Sequence, residues 1–186
     1  KEYENIMSKA EYRSEIDFFR TLKQKCKNND VCWFFYKIDL KNMEDEEEAK
    51  KIKVAQTKYV LVNKYNYLDK EYTPDNLVNL GRIRLVKCAA DAFTELVNAA
   101  KEEDHYIRGV SGYRSYNYQD SLYNKYVTSD GKENADRYSA RAGYSEHQTG
   151  LALDISNNKS TYMDFESTKE FEWMKNNAHK YGFILR

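Results

Sequence analysis

The stretch from Tyr138 to Ser156, YSARAGYSEHQTGLALDIS, decides how the rest of this 186-residue chain is read. Gly143 and Gly150 bracket a loop that holds His147, and the run after Gly150 alternates. In an extended strand, Leu151, Leu153 and Ile155 share one face, whereas Ala152 and Asp154 share the other. Asp154 therefore points away from the apolar face, and the glycine-bracketed return aims it back toward His147, seven residues earlier. An imidazole and a carboxylate converging in this way are candidate ligands for Zn²⁺, which takes nitrogen and oxygen donors tetrahedrally. On spacing alone the alternative is a carboxylate that bonds backbone groups of the following turn, SNNKS at 156–160.

Working outward, SGYRS at 111–115 places Arg114 just beyond a β-rich run, and Gln119 follows on a helical pattern. Periodicity predicts a strand over Tyr106–Val110, a helix over Tyr116–Val127, a strand over Leu151–Ile155 and a last helix from Glu166 to Tyr181, stopped by Gly182. Apolar positions Leu85, Ala89, Ala92, Phe93, Leu96 and Ala100 predict a long helix from about Ile83 to Glu103. Pro74, the only proline, predicts the start of a short helix in TPDNLVNL, and residues 58–68 read as a strand followed by a turn. Nearer the N-terminus the reading is a helix over 9–27, a strand over Val31–Leu40, and a charge-ordered helix in MEDEEEAKKIKVAQ at 43–56. Helices and strands mix without a βαβ rhythm, so the predicted class is α+β, with residues 1–57 as an appendage to a domain at 58–186.

Thirty basic residues balance thirty acidic ones, which argues against nucleic acid as a partner. No apolar run approaches the roughly 20 residues of a membrane span. Seventeen tyrosines are read first as packing rings, and composition leaves a sugar- or peptide-binding surface as the open alternative. Of three cysteines, Cys26 and Cys32 are spaced to close a small loop in an oxidising compartment, and Cys88 is expected as a buried thiol. The first residue is Lys1 rather than Met, from which N-terminal trimming, with loss of any signal or anchor, is expected.

The strings LVNKYNYL (61–68), IRGVSGYRSYNYQDSLYNKYV (107–127), YSARAGYSEHQTGLALDIS (138–156) and NAHKYGFILR (177–186) resemble the VanY-type D-alanyl-D-alanine carboxypeptidases. These are zinc peptidases of bacterial peptidoglycan, and the pattern SxHxxGxAxD is specific to the wider group. The resemblance runs from about Val60 to Arg186 and implies a small antiparallel sheet with helices packed around it. It further implies His147 and Asp154 as the first two zinc ligands, Arg114 as the group facing the oxyanion, and Gln119 and Ser145 as holding the substrate's terminal D-residue and carboxylate. A guanidinium suits that task because it donates several fixed hydrogen bonds to a developing negative oxygen.

Two departures stand out. Ala142 replaces the proline usual in SARPG. The family's Glu-x-x-His motif, which supplies the catalytic glutamate and third ligand, falls roughly twenty to thirty residues beyond GFILR, and this chain ends at Arg186. His105 and His179 read as structural residues, and Glu146, adjoining His147, points to the opposite side of an extended segment. The expectation is a zinc D,D- or L,D-carboxypeptidase that trims stem peptides in the bacterial cell envelope or outside the cell, impaired in this form. The alternative is a non-catalytic module that binds wall peptide or another protein through the same groove.

Overall fold

The computed structural model describes residues 50–51, 60, 62–157 and 162–185. All of them fall in the unit that runs from residue 48 to residue 186. The helix expected over 9–27, the strand over 31–40 and the Cys26–Cys32 loop lie outside the described residues. Among the described residues the strands are β1 (Lys50–Lys51), β2 (Asn66–Tyr67), β3 (Leu77–Leu80), β4 (Ile83–Val86), β5 (Ile107–Ser111) and β6 (Asp154–Asn157). Four α-helices accompany them: α1 (Lys87–Glu102), α2 (Tyr116–Asp130), α3 (Lys132–Tyr138) and α4 (Lys169–Asn177).

The small antiparallel sheet expected from the sequence takes the form of two antiparallel pairs, β3–β4 and β5–β6, beside a parallel β1–β2 pair. Lys50 and Lys51 pair with Asn66 and Tyr67, so these two residues of the expected charge-ordered helix are extended instead. Local charge order is worth only tenths of a kcal/mol per pair, which strand pairing readily overrides. The short helix expected after Pro74 is replaced by a hairpin. Asn76 sits at φ 57, outside helical space, and Gly81 at φ 61 begins a two-residue turn that pairs Leu80 with Ile83. The same hairpin takes Ile83–Val86 out of the long helix, which begins at Lys87. Ile83 and Leu85 are buried while Arg84 is exposed, a period of two that abuts a period of 3.6. Cys88, in the first turn of α1, is exposed rather than buried.

From Lys87 onward the helical spacing holds. Ala89, Ala90, Phe93, Leu96 and Ala100 form the buried stripe of α1 and join Ile83, Leu85, Ile107 and Trp173 in one apolar core. Phe183, just beyond the left-handed Gly182, packs edge-on against Phe93 with ring centroids 6.1 Å apart. His105 closes α1 through its backbone N–H, which donates to Ala100 O at 2.9 Å, and its ring lies against Trp173. The last helix starts at Lys169, with Thr168 as N-cap accepting from Phe171 N at 3.2 Å, and continues into a 3₁₀ turn at Ala178–Tyr181 that buries His179.

Strand β6 begins at Asp154 rather than Leu151, yet Leu151, Leu153 and Ile155 all pack on the core as the alternation requires. Its register with β5 pairs Ile107 with Asn157, Arg108 with Ser156 and Gly109 with Ile155, then skips to pair Ser111 with Asp154. Val110 is the extra residue of a β-bulge.

Candidate active site

The bulge sets the site. Residues directly opposite in an antiparallel pair project to the same face, so Ser111 and Asp154 stand side by side. Both grip Arg114, which lies three residues past Ser111. Its Nε donates to Ser111 Oγ at 2.9 Å and its Nη2 forms an ion pair with Asp154 Oδ2. Its Nη1 donates to Gln119 Oε1 at 3.3 Å.

His147 reaches the same place from a 3₁₀ turn at Glu146–Thr149. Two backbone contacts and one side chain dock this turn. Gly150, at φ 69, accepts from Val86 N at 3.0 Å, and a Cβ there would lie 3.0 Å from Leu77 and Val86 side-chain atoms. The carbonyl of His147 accepts from Arg114 N at 3.1 Å. Gln148 is fully buried and donates to the carbonyls of Asp69 and Tyr72 at 2.9 and 3.1 Å. On the ring, Nδ1 lies 2.7 Å from Gly112 O, an oxygen that only accepts, so this bond places the proton on Nδ1. Gly112 makes the approach possible: a Cβ on it would lie 2.4 Å from Arg84 O.

With Nδ1 protonated, Nε2 turns its lone pair toward Asp154 Oδ1, 3.4 Å away. Two acceptors face each other at that separation, an arrangement completed by a proton or a metal cation between them. Donors about 2.0–2.2 Å from zinc at a tetrahedral angle stand about 3.4 Å apart, so this nitrogen–oxygen pair fits two corners of a zinc site. Its surroundings fit as well, since Gly112 O orients the imidazole and Arg114 fixes the second carboxylate oxygen. Among the described residues no group of three His, Cys, Asp or Glu side chains converges to hold a metal. With a proton between the two atoms, burial pushes the Asp154 carboxyl up, but the hydrogen bond and charge that His147 then supplies, followed by those of Arg114, outweigh it and hold the carboxyl below its ordinary value.

Of the five residues singled out from sequence, Arg114, Gln119, His147 and Asp154 thus form one connected cluster, and Ser145 is buried as the residue preceding the 3₁₀ turn. Gln119 is also buried, and its Nε2 donates inward to Ala140 O at 2.7 Å. Ser111, Gly112 and Gln148 were not among the candidates. The sequence signal for Gly112 was its place inside SGYRS, and Gln148 lay in plain view beside His147.

Comparison with known proteins places the chain among carboxypeptidases. The family model for VanY, D-alanyl-D-alanine carboxypeptidase, matches residues 82–186. YodJ of Bacillus subtilis (strain 168), named as a carboxypeptidase, is 39% identical over 139 residues, covering 68% of this chain and 51% of its own length. The solved structure of the LD-carboxypeptidase LdcB, described as revealing the basis of peptidoglycan recognition, superposes with TM-score 0.68 at 37% identity, covering 74% of this chain and 71% of that one. A VanY D,D-pentapeptidase from a VanB-type resistance cassette, solved with Zn(II), superposes with TM-score 0.58 at 28% identity, covering 67% and 74%. The chain spans about half the length of the curated relatives it matches. The family match spans more than half of the sequence, and this chain belongs to the VanY family of D-alanyl-D-alanine carboxypeptidases.

Proposed function

We propose that the chain serves a zinc-dependent carboxypeptidase that releases terminal D-alanine from peptidoglycan stem peptides, in the cell envelope or outside the cell. The observation that carries this reading is the pairing of His147 Nε2 with Asp154 Oδ1 at 3.4 Å, each residue tied off on its other side by Gly112 O or Arg114. Those two atoms would hold the metal. Bound there, zinc supplies a Lewis acid that polarises a carbonyl and makes water a nucleophile near neutral pH.

Everything else falls to the chain's own groups. Gly112 O keeps the His147 ring in one tautomer and one orientation. Arg114 Nη2 occupies Asp154 Oδ2, which leaves Oδ1 as the free donor atom of that carboxylate. A guanidinium has five N–H donors. Ser111, Gln119 and Asp154 engage three of them in Arg114, so two remain for substrate oxygens. Those two donors are in place before any charge develops on the substrate, which is how such a group lowers a barrier.

The test is release of D-alanine by the full-length protein, stripped of metal and then reloaded with zinc, from a pentapeptide and a tetrapeptide. Zinc-dependent release from the pentapeptide is expected for a D,D-enzyme and from the tetrapeptide for an L,D-enzyme. Release from neither by zinc-loaded, folded protein would overturn the reading and favour a module that binds wall peptide without cleaving it.

A further inference from the structure

One well-formed ion pair outside the site has no part in the chemistry above. Arg141, in the loop after α3, donates through Nε and Nη2 to Asp136 Oδ1 and Oδ2 of that helix at 2.9 and 2.7 Å. Asp136 Oδ1 also accepts from Tyr123 Oη at 2.7 Å, and Tyr123 is buried on α2. These bonds, Arg141's first and Tyr123's next, hold the Asp136 carboxyl well below the usual range. The Arg141 side chain is 52% exposed, and ion pairs in such a setting stabilise folds little. Its two-pronged geometry fixes direction rather than adding much energy.

What it directs is the loop 139–143. Tyr123 and Gln119 lie four residues apart on α2 and so share one face. Both hold this loop: Tyr123 through Asp136 and Arg141, Gln119 through its Nε2 bond to Ala140 O at 2.7 Å. That bond fixes which end of the Gln119 amide is left, and the remaining Oε1 accepts from Arg114 Nη1 at 3.3 Å.

We propose that the Asp136–Arg141 fork is a positioning device for Arg114, acting through Ala140 O and the orientation of the Gln119 amide. With the fork intact, Gln119 presents an acceptor to the guanidinium. Released, the loop carries Ala140 O away and the amide is free to turn a donor toward Arg114, which repels it. Neither Asp136 nor Arg141 touches the substrate in this scheme. The proposal rests on the functional reading above only for its effect on rate; its structural core stands apart from that reading.

The experiment takes Arg141→Ala, Arg141→Lys and Asp136→Asn in the full-length protein. Two observables are followed: the ¹⁵N–¹H signals of Arg114 Nε and of the Gln119 side-chain amide, assigned by their loss in Arg114→Lys and Gln119→Ala, and D-alanine release. Arg141→Ala and Asp136→Asn are expected to shift both signals. They should lower kcat by about 10-fold to 100-fold, the usual scale for outer-shell changes, with KM altered much less. Arg141→Lys, which keeps the charge but not the fork, should recover part of each effect. Unmoved Arg114 and Gln119 signals in folded Arg141→Ala or Arg141→Lys protein would overturn the proposal. So would a fall in melting temperature with both signals intact. If the wild-type protein releases no D-alanine, the functional reading fails while the spectra still decide this one.

Discussion

On one side of the β5–β6 pair, Ile107 and Ile155 pack with Phe93 and Leu96 of α1; on the other, Ser111 and Asp154 hold Arg114, with His147 3.4 Å from the carboxylate. The first side is apolar and contains no directional bonds. Its stabilisation follows the area removed from water, at roughly 25 cal/mol per Å². The second side is polar and every member has named partners: three for the Arg114 side chain, three for Gln119 (Arg114, Ala140 O and, more distantly, Ser139 Oγ), and for His147 a bond at Gly112 O and a contact at Asp154. One side therefore tolerates a change of shape if volume is kept, and the other tolerates almost no change of atom type. Two residues of one short strand, Asp154 and Ile155, belong to opposite regimes.

Substitutions that separate the two regimes should differ in kind as well as size. His147→Ala in the full-length protein should cost well over 100-fold in D-alanine release, beyond the usual ceiling for outer-shell changes. It should lower the melting temperature by only about 2–4 °C, the worth of one lost hydrogen bond in a protein of this size. A large thermal loss with activity retained would put His147 in the wrong regime. Leu96→Ala should behave oppositely, because Leu96 is fully buried in the core: about 2–5 kcal/mol of stability lost, read by denaturant titration, with kcat per folded molecule unchanged. Gly112→Ala straddles the boundary. Its new Cβ meets Arg84 O at 2.4 Å, and neither backbone can give way cheaply. About 1–3 kcal/mol should be lost, together with rate, since the oxygen that orients His147 moves with it.

Smaller effects sharpen the contrast. Thr168→Ala removes the N-cap of α4, far from Arg114 in the chain, and should cost about 1 kcal/mol with no change in kcat or KM. The smallest effect concerns acid. Asn157 Nδ2 donates to Glu170 Oε2 at 3.0 Å and so bolts β6 to α4. Burial raises the Glu170 carboxyl, but the hydrogen bonds from Asn157 and from the backbone outweigh it, and the group sits below its ordinary value. A depressed folded value means that the contribution is fully present above the unfolded value, about 4.3, and fades as pH falls toward the folded one. Glu170→Gln should therefore lower stability slightly at neutral pH and leave the acid end nearly unchanged, which flattens the acid limb of the stability curve.

The legible parts of the sequence were those governed by a single period. The stripe of α1 from Ala89 to Ala100 and the alternation Leu151–Leu153–Ile155 gave the correct buried faces before any coordinates. Arg114, His147 and Asp154 were picked out by motif, and their convergence follows from the faces they occupy. Junctions were harder. At Ile83–Val86 a strand runs directly into a helix, and Leu85 satisfies both periods at once, so the periodicity extends the expected helix four residues ahead of its start at Lys87. Gly81 between LVNL and IRLV was the available hairpin signal. Cys88 failed for a related reason: apolar neighbours in sequence do not fix which side of a first turn faces solvent. The inward bond of Gln119 to Ala140 O joins residues 21 apart and leaves no trace in local pattern.

The bulge at Val110 has a consequence for how this protein can change in length. Between Arg114 and His147 the chain runs out through α2 and α3 and back, and the two ends are pinned by Arg114 N on His147 O. Gly131, where those helices meet, has open space around its Cβ position. A residue gained there has room, and its strain falls first on the Tyr123–Asp136 bond between the two helices rather than on the pinned base. Within β5 a change in length re-aims the site: removing Val110 would leave Ser111 opposite Asp154 but take out the bend that the bulge puts into the strand, and Gly112 and Arg114, which follow that bend, would be redirected though no chemically active side chain had been touched.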